Sequence, residues 1–317
     1  MKNLSKFLYL VFFTTLLSSC NDDNHVIMET NTIIDVVVKN DDLSSLVAAV
    51  TRADLATTLN GSGPITVFAP SNAAFQALLD SNSDWSSLDD IPVATLKNIL
   101  LFHVLNRNFK KIDIPNPDSY LNTLAVVPND ESLTLQVEGE NNGNGEIEFN
   151  GDSKPVTFDV EASNGTVHVI DKVMLPPNIV TLALNFNCTS LVAALTDNRH
   201  TTNFISILNG DGPFTLFAPT NQAFQSLLNS NPVWNSLADV PITTLEAVLL
   251  YHVVNESNIQ ADQLSNGDIS TLGGAITIDL TYGPKIKTTN DQTVDIILND
   301  IQGINGVVHV INSVLLQ

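Results

Sequence analysis

The sequence predicts two α+β domains in tandem. Three observations carry this. A long block returns 149 residues later, in units of about 140 residues each, which is the size of a whole domain rather than of a solenoid repeat. Within each copy the apolar periodicity is helical first and alternating afterwards. Helices followed by strands within one unit are the mark of an α+β layer arrangement.

The repeat fixes the domain organisation. Gly61-Ser62-Gly63-Pro64-Ile65-Thr66-Val67-Phe68-Ala69-Pro70-Ser71-Asn72 returns as Gly210-Asp211-Gly212-Pro213-Phe214-Thr215-Leu216-Phe217-Ala218-Pro219-Thr220-Asn221. The register then runs without a gap through Trp85/Trp234 to His103/His252, with more than half of the positions identical. A second match joins Asn164–Ile170 to Asn305–Ile311, and upstream Ser45–Ala49 matches Ser190–Ala194. The expected division is therefore 1–19 signal peptide, 20–30 acidic tether, 31–175 domain 1 and 176–317 domain 2, with Pro176-Pro177 at the junction restricting the linker.

Within a copy, Leu43, Leu46, Val47 and Val50 have helical spacing, and Gly61–Pro64 is a turn. Ile65–Phe68 reads as a short strand stopped by Ala69-Pro70, because proline supplies no ladder donor. Ser71 or Thr220 can cap the next helix, which carries Phe75, Leu78 and Leu79 on one face. A further helix is expected through Leu96, Ile99, Leu100, His103 and Val104. Strands follow at Ser132–Val137, Glu146–Phe149, Val156–Val160 and Thr166–Ile170.

The first twenty residues stand apart. Lys2 and Lys6 precede an apolar run, Phe7–Leu17, too short to span a bilayer. It ends in Leu17-Ser18-Ser19-Cys20, which resembles the bacterial lipobox; the resemblance implies export and acylation of Cys20. Asn21-Asp22-Asp23-Asn24 resembles the acidic signal that sends lipoproteins to the exposed face of the outer membrane in some diderm bacteria. The apolar stretch Val173–Leu195 is broken by Pro176, Pro177, Asn178, Asn185 and Asn187, so membrane attachment is expected through acyl chains alone.

Charge and cysteine content narrow the classes further. A net charge of −21 opposes binding to nucleic acid and to anionic lipid headgroups. With Cys20 lipidated, Cys188 has no disulfide partner; it falls opposite Leu43 of the first repeat, an apolar slot, and is expected to be a buried thiol.

The Thr66–Phe75 block, the Asn164-Gly165-x-Val167-His168-Val169-Ile170 block and the Tyr251-His252 pair together resemble the fasciclin (FAS1) family, twice and in order across nearly all of the chain after residue 30. The resemblance implies sheet cores flanked by helices in secreted and surface adhesion proteins, with no shared reaction. Repeat 1 departs from it with Phe102-His103, lacking the tyrosine hydroxyl. In animal members an Asp-Ile pair just before the second block is a proposed integrin contact; the matching positions are Asp159-Val160 and Asp300-Ile301. Tyr251, His252, Asp300, Ile301, Asp159 and Val160 are thus carried over as candidate partner-contact residues.

The residues show no G-x-S-x-G, H-E-x-x-H, G-x-G-x-x-G, P-loop or C-x-x-C pattern, so no enzyme activity, cofactor or metal is expected. His103 and His252 lie on apolar stripes, where a histidine is a hydrogen-bonded core residue or, less simply, a ligand contact; His168 and His309 in strands read the same way. Glu138–Glu146, acidic and glycine-rich, reads as a solvated hairpin connection or, less simply, a calcium loop, and it lacks EF-hand spacing. Trp85 and Trp234 are structural, or platforms for sugars. The function expected is surface adhesion to an extracellular or cell-surface protein or polysaccharide, two linked domains adding avidity. The alternative is a carbohydrate-binding or scaffold lipoprotein of a polysaccharide-uptake system.

Overall fold

The computed structural model describes residues 31–115, 118–127, 129–140, 145–186 and 188–317. The expectations for the signal segment, Cys20 and the tether lie outside the described residues. The first half contains α1 (Ile33–Val38), α2 (Ser44–Arg52), α3 (Ala56–Leu59), β1 (Ile65–Pro70), α4 (Asn72–Asp80), α5 (Val93–Phe102), β2 (Val104–Leu105), β3 (Ser119–Val126), β4 (Ser132–Glu138), β5 (Glu148–Phe149), β6 (Pro155–Ala162) and β7 (Gly165–Ile170). The second half repeats this as α6 (Ile179–Asn185), α7 (Thr189–Leu195), α8 (Phe204–Leu208), β8 (Phe214–Pro219), α9 (Asn221–Asn229), α10 (Ile242–Tyr251), β9 (Val253–Asn255), β10 (Gly267–Thr271), β11 (Gly274–Asp279), β12 (Lys285–Lys287), β13 (Thr293–Gly303) and β14 (Gly306–Ile311).

The sheet orders are β5-β4-β3-β2-β1-β7-β6 and β10-β11-β12-β13-β14-β8-β9. These are one ring of seven strands interrupted at different points. The ends of the second order are bridged by Leu272 N–H, just after β10, donating to Val253 O of β9 at 2.8 Å. Each contains a parallel pair, β1 with β7 and β8 with β14, in unbroken register from Ile65↔Gly165 to Pro70↔Ile170 and from Phe214↔Gly306 to Pro219↔Ile311. All six residues of β1 and of β8 are buried, as a strand covered on both faces must be. Alternation then divides the core in two. Ile65, Val67 and Ala69 face the helices with Leu46, Phe75 and Leu96, while Phe68 faces the ring interior with Phe102, Leu135, Val137 and Phe149.

Three sequence expectations are corrected. The strand does not stop before Ala69-Pro70 but runs through Pro70, because Pro70 is the last ladder position and Ser71 N–H donates to Ile170 O in its place. The helix does not carry His103 and Val104: α5 ends at Phe102, His103 is its C-terminal cap, and Val104 begins β2. The expected strand at Glu146 begins at Glu148. The caps proposed for the helix after β1 are present, with Ser71 Oγ accepting from Ala74 N and Thr220 Oγ1 from Ala223 N. Gly63 has φ +58°, and a Cβ there would stand 2.1 Å from Asn164 O, so the turn before β1 requires glycine.

The two halves pack through unlike faces. The outer face of β3–β5 meets the start of the second half and the end of β13. Tyr120 and Phe186 rings lie 4.5 Å apart, Gln136 Nε2 donates to Asn185 O at 2.9 Å, and Gln302 N–H donates to Thr134 Oγ1 at 3.1 Å. Gln302, 2 % exposed, also accepts from Gln260 Nε2 and Asn258 Nδ2 and donates to Gly303 O and Gly306 O. The same pair of positions in the first half is Lys110 and Glu161, an exposed ion pair at 2.7 Å. The exposed copy is ionic and the covered copy is a neutral amide pair, as the cost of desolvating charge requires.

Candidate functional site

Each residue singled out in the sequence has a definite place. His103 closes α5: its Nδ1–H donates to Ile99 O at 2.8 Å, and its Nε2 accepts from Met174 N–H at 2.9 Å. His252 does the same for α10 with Val248 O at 2.6 Å and Leu315 N–H at 2.9 Å. Both rings are enclosed, and burial pushes their pKa down to about 4, so the imidazoles are neutral at pH 7. Each histidine ties the segment following the last strand of its half to a helix end. His168 and His309 use Nε2–H to donate to Phe109 O and Ile259 O, both at 2.8 Å. Their Nδ1 atoms accept from Asp159 N–H and Asp300 N–H at 3.2 and 3.4 Å. These tautomers follow from the hydrogen-bond partners.

Asp159 and Asp300 sit at φ +56° and +58° where β6 and β13 slip in register against their neighbours. Aspartate tolerates this left-handed conformation better than most residues. Their carboxylates accept from Lys111 N–H at 2.9 Å and Ala261 N–H at 2.6 Å, which fixes the bulge.

The partner-contact expectation therefore needs correction at three positions. Tyr251, His252 and Ile301 are at most 1 % exposed, and Tyr251 spends its hydroxyl on Ala275 O at 2.7 Å. A partner cannot touch them while the domain is folded. Val160 is packed against the helical core. The Asp159 and Asp300 carboxylates reach the surface, and Val160 is partly exposed beside the first of them. Phe102, where the tyrosine hydroxyl is missing, packs fully buried against the ring interior.

Sequence reasoning passed over the residue that organises each half. Asn164 Oδ1 accepts from Ile33 N–H, and its Nδ2 donates to Leu59 O and Gly61 O, all at 2.9 Å. Asn305 makes the same three bonds with Ile179, Leu208 and Gly210. One amide thus joins the first helix, the third helix and the turn before the first strand. The signal was present: both asparagines open the second repeated block.

Among the described residues no group of three or more His, Cys, Asp or Glu side chains could hold a metal ion. Residues 141–144 of the acidic connection lie outside the described residues, and at its far end Lys154 pairs with Glu146 and Glu148. Cys188 is a free thiol, 1 % exposed, with its pKa pushed up to about 11 by burial.

With the histidines, the asparagine clips and the aspartate bulges in place twice over, comparison with known proteins is direct. The model of the fasciclin domain matches residues 41–176 and again 186–317. The chain belongs to the fasciclin family. Protein sll1483 of Synechocystis is 37 % identical over 146 residues, covering 46 % of this chain and 74 % of that protein. Human periostin is 30 % identical over 264 residues, 81 % of this chain but 29 % of periostin, and the pig transforming growth factor-beta-induced protein ig-h3 is 26 % identical over 81 % of this chain and 35 % of that protein. The chain spans about a third of these two animal relatives. A solved FAS1 domain pair from the insect cell adhesion molecule fasciclin I aligns over 90 % of this chain with a TM-score of 0.47 at 18 % identity. Fasciclin domains are adhesion and binding modules of extracellular proteins. No helix among the described residues is long and apolar enough to cross a membrane.

Proposed function

We propose that this chain is an exported lipoprotein, anchored through Cys20 to the outer membrane and exposed at the surface, that binds matrix, cell-surface or biofilm components through its two fasciclin domains without catalysing a reaction. The observation that supports it is family membership of both halves. The buried histidines agree, since each is consumed by two hydrogen bonds that hold the fold. The anchoring part rests on Leu17-Ser18-Ser19-Cys20 following a short charged and apolar leader. Asp159 and Asp300 on matching bulges, with Val160 beside the first, are the partly exposed members of the candidate contact set. A second reading, carbohydrate binding, is favoured by one observation: Trp85 lines an open groove.

The test uses cells producing the full chain or Cys20→Ala. Metabolic lipid labelling should be lost in the variant, the protein should leave the membrane fraction or stay unprocessed, and attachment of the cells to matrix or biofilm should fall. Unchanged labelling would remove the anchor; unchanged attachment after deletion of the whole chain would remove the adhesion reading.

A further inference from the structure

The groove lies where the two halves meet. Trp85, following α4, forms one side together with Thr95 and Asn98 of α5; the Leu175-Pro176 connector and Ile304 of the second half form the other. Its volume is about 480 Å³, within the range of sites that hold small ligands or single sugar rings. Leu175 and Ile304 are each 46 % exposed, so their apolar surface is presented to solvent.

Two features identify what such a groove suits. First, no charged side chain lines it, although the chain carries 34 acidic and 13 basic residues. A lining without charge selects a neutral ligand over an ionic one. Second, polar groups stand free beside the apolar surface. Neither the Thr95 hydroxyl, the Asn98 amide nor the Trp85 indole N–H makes a hydrogen bond among the described residues. Thr95 and Asn98 are one helical turn apart, so both project from the same side of α5. An indole, an amide and a hydroxyl around an uncharged apolar groove match a pyranose ring, which has apolar C–H faces and a rim of hydroxyls. Domain 2 supplies an internal contrast: it repeats the tryptophan as Trp234 but has Ala247 at the position of Asn98.

We propose that this groove is a binding site for neutral polysaccharide, with Trp85 as the stacking surface and Asn98 and Thr95 as the hydroxyl-reading groups. The proposal deepens the binding-module reading by naming a ligand class and a site for it. It uses both halves, because Ile304 closes one side of a groove otherwise built by the first half and the connector.

Native affinity electrophoresis of the chain from residue 21 onward tests it, in gels containing dextran, laminarin, xylan or mannan, with alginate as the acidic control. At least one neutral polysaccharide should retard the protein. Asn98→Ala, a half-exposed position whose loss leaves the core intact, should weaken retardation about tenfold, and Trp85→Ala should abolish it. The chain has two tryptophans, so in Trp234→Phe all indole fluorescence comes from Trp85; its emission should shift when the retarding polysaccharide is added, which reports the site without any loss of fold. Retardation by none of the four, retardation by alginate alone, or an unchanged Asn98→Ala with no Trp85 emission shift would overturn the proposal. So would a Trp85 shift with an amphipathic Leu-Lys peptide but with no polysaccharide. Failure here with cell attachment intact removes the glycan site and leaves the adhesion reading standing.

Discussion

Replacing His252 with alanine should destabilise the second domain more than its single side chain suggests. The imidazole is 1 % exposed and joins two segments 63 residues apart, α10 through Val248 O and the post-β14 segment through Leu315 N–H. Alanine leaves the Leu315 amide without a partner in a dry environment, which costs about 1–3 kcal/mol. It also leaves a void the size of the ring, and large-to-small core replacements of that kind cost about 2–4 kcal/mol. The sum, roughly 3–7 kcal/mol, is a large part of the 5–15 kcal/mol that keeps a typical domain folded. At about 3 °C per kcal/mol for a domain of this size, the second transition should fall by roughly 10–20 °C. His252→Gln can restore one of the two hydrogen bonds and should lose about half as much. Differential scanning calorimetry of the chain from residue 21 onward reads both variants, with the first domain as an internal reference. If alanine melts within about 2 °C of wild type, His252 is not holding the domain together and the reasoning fails.

Three further outcomes follow from the same geometry. Because His103 and His252 are held down to about 4 when folded but titrate near 6.5 when unfolded, the unfolded chain takes up protons first as pH falls; stability should be full above pH 6.5 and decline toward pH 4, by up to about 3 kcal/mol per pH unit for the two together, and the slope of urea midpoint against pH should flatten in His103→Gln/His252→Gln. Gln302→Glu should cost about 2–4 kcal/mol in urea unfolding, since a carboxylate would face Gly303 O and Gly306 O under the first domain, and Gln260→Lys in the same chain should recover part of it; equal stability of wild type and Gln302→Glu would contradict the interface described. Cys188 should react with a polar thiol reagent only after unfolding, and labelling of the native protein within minutes would place it at the surface.

Much of the architecture was legible because apolar period and repetition speak about local structure. The alternation in Ser132–Val137 and Thr166–Ile170 and the helical spacing in Leu43–Val50 correspond to β4, β7 and α2. β3 was passed over because Ser119–Val126 mixes Tyr120, Asn122 and Thr123 into its pattern, and its outer face is covered by the second domain rather than by water. The helix ends were misjudged at His103 because a residue on the apolar stripe can serve as a cap instead of a core position. The candidate contact residues divide for a related reason: Tyr251 and Ile301 are buried where the fold uses them, and a motif alone does not separate that use from recognition. The interface had one sequence signal. Where the repeats differ by an ion pair turned into an amide pair, Lys110/Glu161 against Gln260/Gln302, the second copy is the one that loses contact with water.

The parallel pairing of β1 with β7 has a consequence for how the chain acquires its shape. Ile65 and Gly165 must meet, and the strand that joins them is the last of its domain. No amino-terminal fragment ending before Ile170 can complete the sheet, so the first domain stays open until about a hundred intervening residues have been organised. Contacts of such long range form slowly, on the millisecond to second scale, and leave apolar strands uncovered in the meantime. If the chain is exported as proposed, late closure is an advantage: the sheet cannot lock while its last strand is still on the far side of the membrane.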